Sequence, residues 1–240
     1  MAYDTDDARW TAVVTRDQDA DGEFLFAVTT TGVYCRPGCS GRPLRRNVRF
    51  YDTARAARAD GFRACKRCRP DEARETLRWT TVATDLGAAL VAASDAGLRA
   101  ITLGDDAAAL RADLSARFPK ARLVQDAGGL GDLAAKVRAL IADPTAGAEL
   151  PLDDRGTELQ RAVWKALRAI PPGRTASYAE VARAIGRPEA VRAVAQACGA
   201  NPLAVLTPCH RVVRSDGGLS GYRWGVERKR ALLVREGAAA

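Results

Sequence analysis

Six cysteines and a single histidine hold most of the chemistry that this chain of 240 residues could perform. Four of the cysteines form two close pairs, Cys35 with Cys39 and Cys65 with Cys68. Each pair can place two thiolates about one tetrahedral ion, and the spacing is close to that of structural zinc sites. An iron–sulfur cluster draws on the same ligands, and disulfides would pair them instead. The histidine, His210, directly follows Cys209 in LTPCHRVV, Leu206 to Val213. That adjacency is either a reactive thiol with its base or a core strand that includes two polar residues. Neighbouring side chains of a strand point to opposite faces, so cooperation between the two requires a turn after Pro208 or a bridging water. Cys198 has no partner nearby in sequence and reads as a buried thiol on an apolar helix face.

Three segments must position these groups. In the first, about 1–76, the run FLFAVTTTGVYC (Phe24 to Cys35) predicts a strand pair turning near Gly32, followed by a helix from Thr53 to Asp60 that Gly61 stops. The second, about 77–150, predicts a small antiparallel sheet with a tight turn at Asp95 to Gly97. Helices near Asp106 to Phe118 and Leu130 to Ile141 follow, and nothing in this segment suggests chemistry. Asp143 to Thr157, rich in Pro, Gly and Asp, reads as a linker. The third segment, 151–240, begins with a helix presenting Leu159, Val163, Leu167 and Ile170 on one face. A short helix from Tyr178 to Ile185, capped by Ser177, and another from RPEAVRAVAQACG form a helix-turn-helix pattern. In the second of these, Val191, Val194, Ala195 and Cys198 are expected to pack inward, leaving Glu189, Arg192 and Gln196 for a groove. The fold class expected is α+β.

The net charge of +8 is unevenly distributed. Residues 36–74 and 151–240 are strongly basic, whereas 1–35 and 75–150 carry an acidic excess. Arginine dominates, which suits bidentate contacts with phosphate; a high-GC codon bias would explain the enrichment, though not the clustering. Arginines from Arg36 and Arg42 through Arg67 and Arg69 crowd the paired cysteines, and a basic rim around an anionic centre suits a phosphate ligand. The apolar run Gly87 to Ala93 falls far short of the roughly 20 residues a membrane-spanning helix needs. The acidic N-terminus shows no secretory signal, so a cytoplasmic location is expected, where cysteines serve metals or catalysis.

The stretch NPLAVLTPCHRVVRSDGGLSGYRWG resembles the active-site region of the O6-alkylguanine-DNA alkyltransferases, whose signature is Pro-Cys-His-Arg-Val. GVYCRPGCSGRPLRRNVRFY with GFRACKRCRPDEA resembles the Ada-type zinc domain, which repairs methyl phosphotriesters. Together the two resemblances cover nearly the whole chain. They imply a zinc methylphosphotriester domain over 1–76, a ribonuclease-H-like α/β subdomain over 77–150, and a helical winged helix-turn-helix catalytic domain over 151–240. They further imply that Cys209 takes the alkyl group from O6 of guanine (also O4 of thymine), with His210 acting through water as its base, Glu236 orienting His210 and Asn201 bracing the turn. The extruded base is held near Tyr178, Arg192 enters the duplex in its place, Tyr222 lies along the pocket, and Arg211 contacts DNA or substrate. In the zinc domain Cys35 is the methyl acceptor, and Cys39, Cys65 and Cys68 complete the shell of a Zn2+ ion. The AraC-type region that Ada-type proteins carry between these parts is missing, and Arg223 stands where alkyltransferases often have a small residue.

The implied reaction ends in a thioether, a poor leaving group, so each cysteine reacts once. Capping one zinc-bound thiolate takes the centre from a formal charge of minus two to minus one and should tighten binding to DNA phosphate. The expected partner is double-stranded DNA carrying alkylation damage, met by a monomer with no membrane involvement. Two other readings remain open at this point: a methylation-responsive transcription regulator, and a Cys-His hydrolase showing burst kinetics and turnover.

Overall fold

The protein, represented by a computed structural model, is described over residues 2–146, 149–219 and 221–238. Gly147 and Ala148 of the predicted linker and Ser220 of the glycine-rich stretch lie outside the described residues. Chain contacts define two compact units, Met1–Thr76 with Lys120–Val124, and Leu77–Pro119 with Gln125–Ala240.

The first unit begins with α1 (Asp6–Thr15), which the sequence reading did not anticipate. Thr5 caps it by accepting from Ala8 N–H, and Asp6 and Asp7 occupy the first turn, where a helix dipole favours negative charge. The predicted hairpin is β1 (Leu25–Val28) and β2 (Val33–Cys35), with Gly32 at φ +64° closing the turn. β3 (Val48–Tyr51), α2 (Ala54–Ala59) and β4 (Arg63–Ala64) complete a sheet of order β3-β1-β2-β4. β1 is antiparallel to both neighbours, whereas β2 and β4 run parallel, pairing Tyr34 with Ala64. That parallel pairing delivers Cys35 and Cys65 at the same end of adjacent strands, and Cys65 N–H donates to Tyr34 C=O at 3.0 Å. Phe24, Phe26 and Val48 form the core beneath Cys35 and Cys39.

In the second unit β5 (Thr76–Thr84), β6 (Gly87–Ser94) and β7 (Gly97–Gly104) form an antiparallel meander, with Gly97 at φ +141° in the expected turn. α3 (Ala107–Arg117) and α4 (Gly131–Ala142) follow, with β8 (Arg122–Gln125) between them in the chain belonging to the first unit up to Val124. Next come α5 (Glu158–Arg168), β9 (Ala176–Ser177), α6 (Tyr178–Ala184), α7 (Val191–Gly199), β10 (Val212–Val213) and α8 (Val226–Arg235). Reciprocal capping boxes start α5 (Thr157 with Gln160) and α6 (Ser177 with Glu180), satisfying N–H groups that have no intrahelical partner. Leu98, Ile101 and Leu103 of the meander share one core with Val163 and Leu167 of α5, Val194 of α7 and Leu232 of α8. This segment is therefore packed directly against α5, α7 and α8.

Two details differ from the sequence reading. Pro188 and Glu189 form the turn before α7 rather than its first turn. The buried face of α7 is Val194, Ala197 and Cys198, whereas Ala195 is exposed. A methyl side chain carries too little apolar area for periodicity alone to choose between two alanines. The choice is made by α5, whose buried Trp164 donates its indole N–H to Ala197 C=O at 2.9 Å.

Candidate active site and candidate metal centre

Cys209 opens a single 3-10 turn, Cys209–Arg211, that follows Pro208. Pro208 at φ −81°, ψ +63° sits at the centre of an inverse γ-turn closed by Cys209 N–H on Thr207 C=O at 2.8 Å. The chain is thus turned, not extended, at Cys209 and His210, and becomes a strand only at Val212, where β10 pairs parallel with β9. Both side chains are buried, Cys209 at 6% and His210 at 0% exposure.

Glu236 caps the C-terminus of α8 and points its carboxylate at the turn. His210 Nε2 lies 2.8 Å from Glu236 Oε1. A carboxylate only accepts, so this contact puts the ring proton on Nε2 and leaves Nδ1 as the basic nitrogen. Nδ1 is buried and has no hydrogen-bond partner among the described residues. Burial, opposed by Glu236, pushes the imidazole below its usual range and keeps the ring neutral. Burial is also the largest single influence on Glu236 and pushes it up. The hydrogen bonds from His210 and Arg211, with the charge that Arg211 always carries and His210 carries only once protonated, together outweigh it and hold the carboxyl down to about 2.

Arg211, expected against DNA or substrate, is turned inward. It is 6% exposed, its Nε donates to Glu236 Oε2 at 3.0 Å, its Nη2 donates to Oε1 at 2.9 Å, and its Nη1 reaches Ile170 C=O. A fully buried carboxylate requires paired charge and several donors, and this guanidinium supplies them. Asn201, 0% exposed, ties the turn together. Its Nδ2 donates to Thr207 C=O at 2.7 Å and to Cys209 Sγ at 3.2 Å, while its Oδ1 accepts from Leu203 N–H at 2.9 Å.

The Cys209 thiol is pushed up to about 11 by burial, against the lowering influence of Asn201 and Lys229. At neutral pH it rests as a thiol, so acting as a nucleophile would require a base to take its proton. Lys229, at 0% exposure, lies close enough for its charge to act on both Cys209 and Cys198, and it donates to Val212 C=O. Sequence reasoning missed Lys229, although a signal existed. Residues 229, 232, 233 and 236 follow the i, i+3, i+4, i+7 stripe of a buried helix face, and a lysine there is out of place unless it serves a site. Trp224, also missed, packs its ring at 5.0 Å and 72° against Tyr222, whose ring lies 6.4 Å from His210. The Tyr222 hydroxyl and Trp224 indole N–H are buried without a partner among the described residues. Tyr178 is half-buried at the start of α6 and packs against the same core, whereas Arg192 is exposed in the first turn of α7. Arg223 is drawn away by Asp113, 2.8 Å from its Nη2.

In the first unit the sulfurs of Cys35, Cys39, Cys65 and Cys68 all lie within 4.8 Å of one another. A tetrahedral ion at the usual Zn–S distance of about 2.3 Å needs sulfurs roughly 3.8 Å apart, so the four can close on one ion with small movements. No disulfide links them. Hydrogen bonding to Cys39 and Cys68, then burial, pushes Cys35 upward, and the same contact with Cys35 pulls Cys39 down. Four crowded thiols cannot all ionise without a cation, and an all-sulfur set suits zinc. Arg42 and Arg67 line the same hollow as Cys35, Cys39 and Cys65, and Arg46, Arg49, Arg63 and Lys66 are also exposed in this unit. Arg36 does not join that rim: it is 8% exposed and pairs with Asp21 at 3.2 Å, which Arg74 also contacts at 2.8 Å. Buried Asp21 takes the charge of both guanidiniums and fixes the loop between Cys35 and Cys39.

Comparison with known proteins gives matches in both units. The family described as "6-O-methylguanine DNA methyltransferase, DNA binding domain" matches residues 158–238, and "Metal binding domain of Ada" matches residues 8–71. The bifunctional transcriptional activator and DNA repair enzyme Ada of Escherichia coli is 37% identical, over 97% of this chain and 96% of its own length. A methylated-DNA–protein-cysteine methyltransferase of Mycobacterium tuberculosis is 46% identical over 48% of this chain and 70% of its own length. The crystal structure of the M. tuberculosis OGT in complex with DNA superposes with a TM-score of 0.57 and 36% identity, covering 69% of this chain and 96% of that one.

Proposed function

The chain belongs to the Ada family of DNA-repair methyltransferases, and from that premise we propose a division of labour between its two cysteine sites. Cys209 accepts methyl groups from O6-methylguanine, and by extension O4-methylthymine, in double-stranded DNA. Cys35 accepts them from methyl phosphotriesters. Residues 1–76 form the phosphotriester domain, 77–150 the N-terminal subdomain of the alkyltransferase, and 151–240 its catalytic domain. The relative from E. coli is named a transcriptional activator as well, but the chain lacks an AraC-type middle region, so this reading stops at repair.

The observation that carries the Cys209 assignment is a pair of contacts at one buried turn: Asn201 Nδ2 on Cys209 Sγ, and Glu236 on Nε2 of the adjacent His210, whose buried Nδ1 has no partner among the described residues. The proton of Cys209 passes to His210 Nδ1 through a water. The imidazolium so formed is stabilised by Glu236, itself held ionised by Arg211. Sulfur attacks the methyl carbon, the S–C bond forms, the C–O bond breaks, and its electron pair leaves with the guanine oxygen. Asn201 and Lys229 stabilise negative charge developing on sulfur as the proton leaves. Tyr178 holds the extruded base, Tyr222 and Trp224 wall the pocket, and Arg192 occupies the gap in the duplex. The thioether product has no route back, so each thiol is used once.

Zinc held by Cys35, Cys39, Cys65 and Cys68 keeps thiolate available at neutral pH. The exposed arginines of that unit bring DNA phosphate to the sulfurs. We take the chain to act as a cytoplasmic monomer.

Mass spectrometry after incubation with methylated duplex tests both assignments, using wild type, Cys209→Ala and Cys35→Ala. Each variant should lose uptake at its own cysteine and keep the other. Uptake by Cys209→Ala from O6-methylguanine alone would overturn the assignment of that thiol.

A further inference from the structure

We infer that Val205 is a positioning residue for Cys209, holding a strained turn that fixes where the thiol is presented. The inference rests on the reading of Cys209 as the methyl acceptor. Val205 adopts φ +65°, one of three non-glycine residues with positive φ in the described chain and the only β-branched one among them. Arg16, another of the three, lies at a helix C-cap, where that conformation is ordinary. Val205 is instead 4% exposed in a loop, where a branched Cβ crowds its own backbone. Leu206 N–H donates to Ala204 C=O at 2.7 Å, closing a three-residue turn across Val205. A γ-turn with positive φ is the strained form, in contrast to the relaxed inverse form at Pro208.

Two γ-turns of opposite hand therefore stand between Ala204 and Cys209. Both ends of the strained one are anchored. Ile101 on β7 donates to Pro202 C=O at 2.8 Å and accepts from Ala204 N–H at 2.9 Å. Asn201 holds Thr207 C=O on the far side at 2.7 Å. A residue in a sparsely populated conformation persists only where its surroundings over-determine it, and such residues gather at active sites. Glycine would adopt φ +65° without cost, yet this position holds valine. The consequence is rigidity: the well available to valine is narrow, whereas glycine there would let the turn, and Cys209 with it, wander. The meander then has a part in the chemistry, because β7 supplies two of the bonds that hold the strain.

The experiment compares Val205→Gly with Val205→Ala in the full, zinc-loaded chain. Both remove the branched side chain, so lost packing is nearly common to them. Ordinarily alanine is the more stabilising of the two. The inference expects the reverse, with Val205→Gly melting above Val205→Ala. It also expects single-turnover transfer from saturating O6-methylguanine duplex to be about tenfold slower in the glycine variant, with equal DNA affinity, since small misplacements of a reacting atom cost rate steeply. Alanine melting at or above glycine would remove the strain, and equal transfer rates would remove the positioning role. Peptide mapping of methylated wild type separates this from the parent reading, which fails if Cys209 carries no methyl.

Discussion

Replacing Glu236 by glutamine removes the anion on which the buried polar cluster depends. In the native protein the carboxyl is held at about 2 against an ordinary 4.5, despite burial, by the donors and charge of His210 and Arg211. A difference of about 2.5 in pKa corresponds to roughly 3 kcal/mol of stability at neutral pH. The sign follows from linkage: the folded pKa is the lower one, so the contribution is fully present above about 4.5 and is lost as pH falls toward 2. Glu236→Gln should therefore unfold about 3 kcal/mol more easily at pH 7 and, unlike wild type, show little of this acid dependence. The loss at neutral pH could reach about 5 kcal/mol, because the Arg211 guanidinium is left buried opposite a neutral amide. Urea unfolding of the full chain from pH 2.5 to 7, followed through the fluorescence of buried Trp164 and Trp224, measures it. A glutamine variant with the wild-type acid profile would refute the claim that Glu236 holds its proton low in the folded state.

Lys229→Met should slow Cys209 methylation by methyl iodide near pH 8, because the lysine charge is one of the influences that lower the thiol, whereas burial pulls the lysine's own proton affinity down so that the two proteins converge at high pH. The rate at pH 8 should then fall by about tenfold. Asn201→Ala strips partners from Leu203 N–H and Thr207 C=O and should cost about 1–3 kcal/mol in chemical denaturation, together with slower methyl transfer. Stripping zinc with a strong chelator should make residues 1–76 sensitive to protease while transfer to Cys209 persists, as gel analysis and methyl uptake would report.

Several elements were legible because local physics decides them. The Phe24–Cys35 hairpin, the three-stranded meander and the capped helices α5 and α6 follow from alternation, turn residues and Ser/Thr caps that lie adjacent in the chain. The cysteine pairs were legible because ligand spacing is itself a local property. α1 was missed since its acidic, weakly amphipathic sequence gives no clear apolar stripe, and only Ala12 and Val13 of it are buried. The two alanines of α7 were indistinguishable until Trp164 of another helix selected one.

The sequence by itself determined which groups could react: two cysteine pairs at metal-binding spacing, and a thiol next to the only histidine. What it could not determine was which atoms face each other. The direction of Arg211, the burial of Lys229, the ionisation of Glu236 and the left-handed turn at Val205 all depend on residues from α8, β7 and the 201–211 loop converging in one buried space. Charge and proton affinity there are set by burial and by partners distant in the chain, and neither exists until the chain has folded.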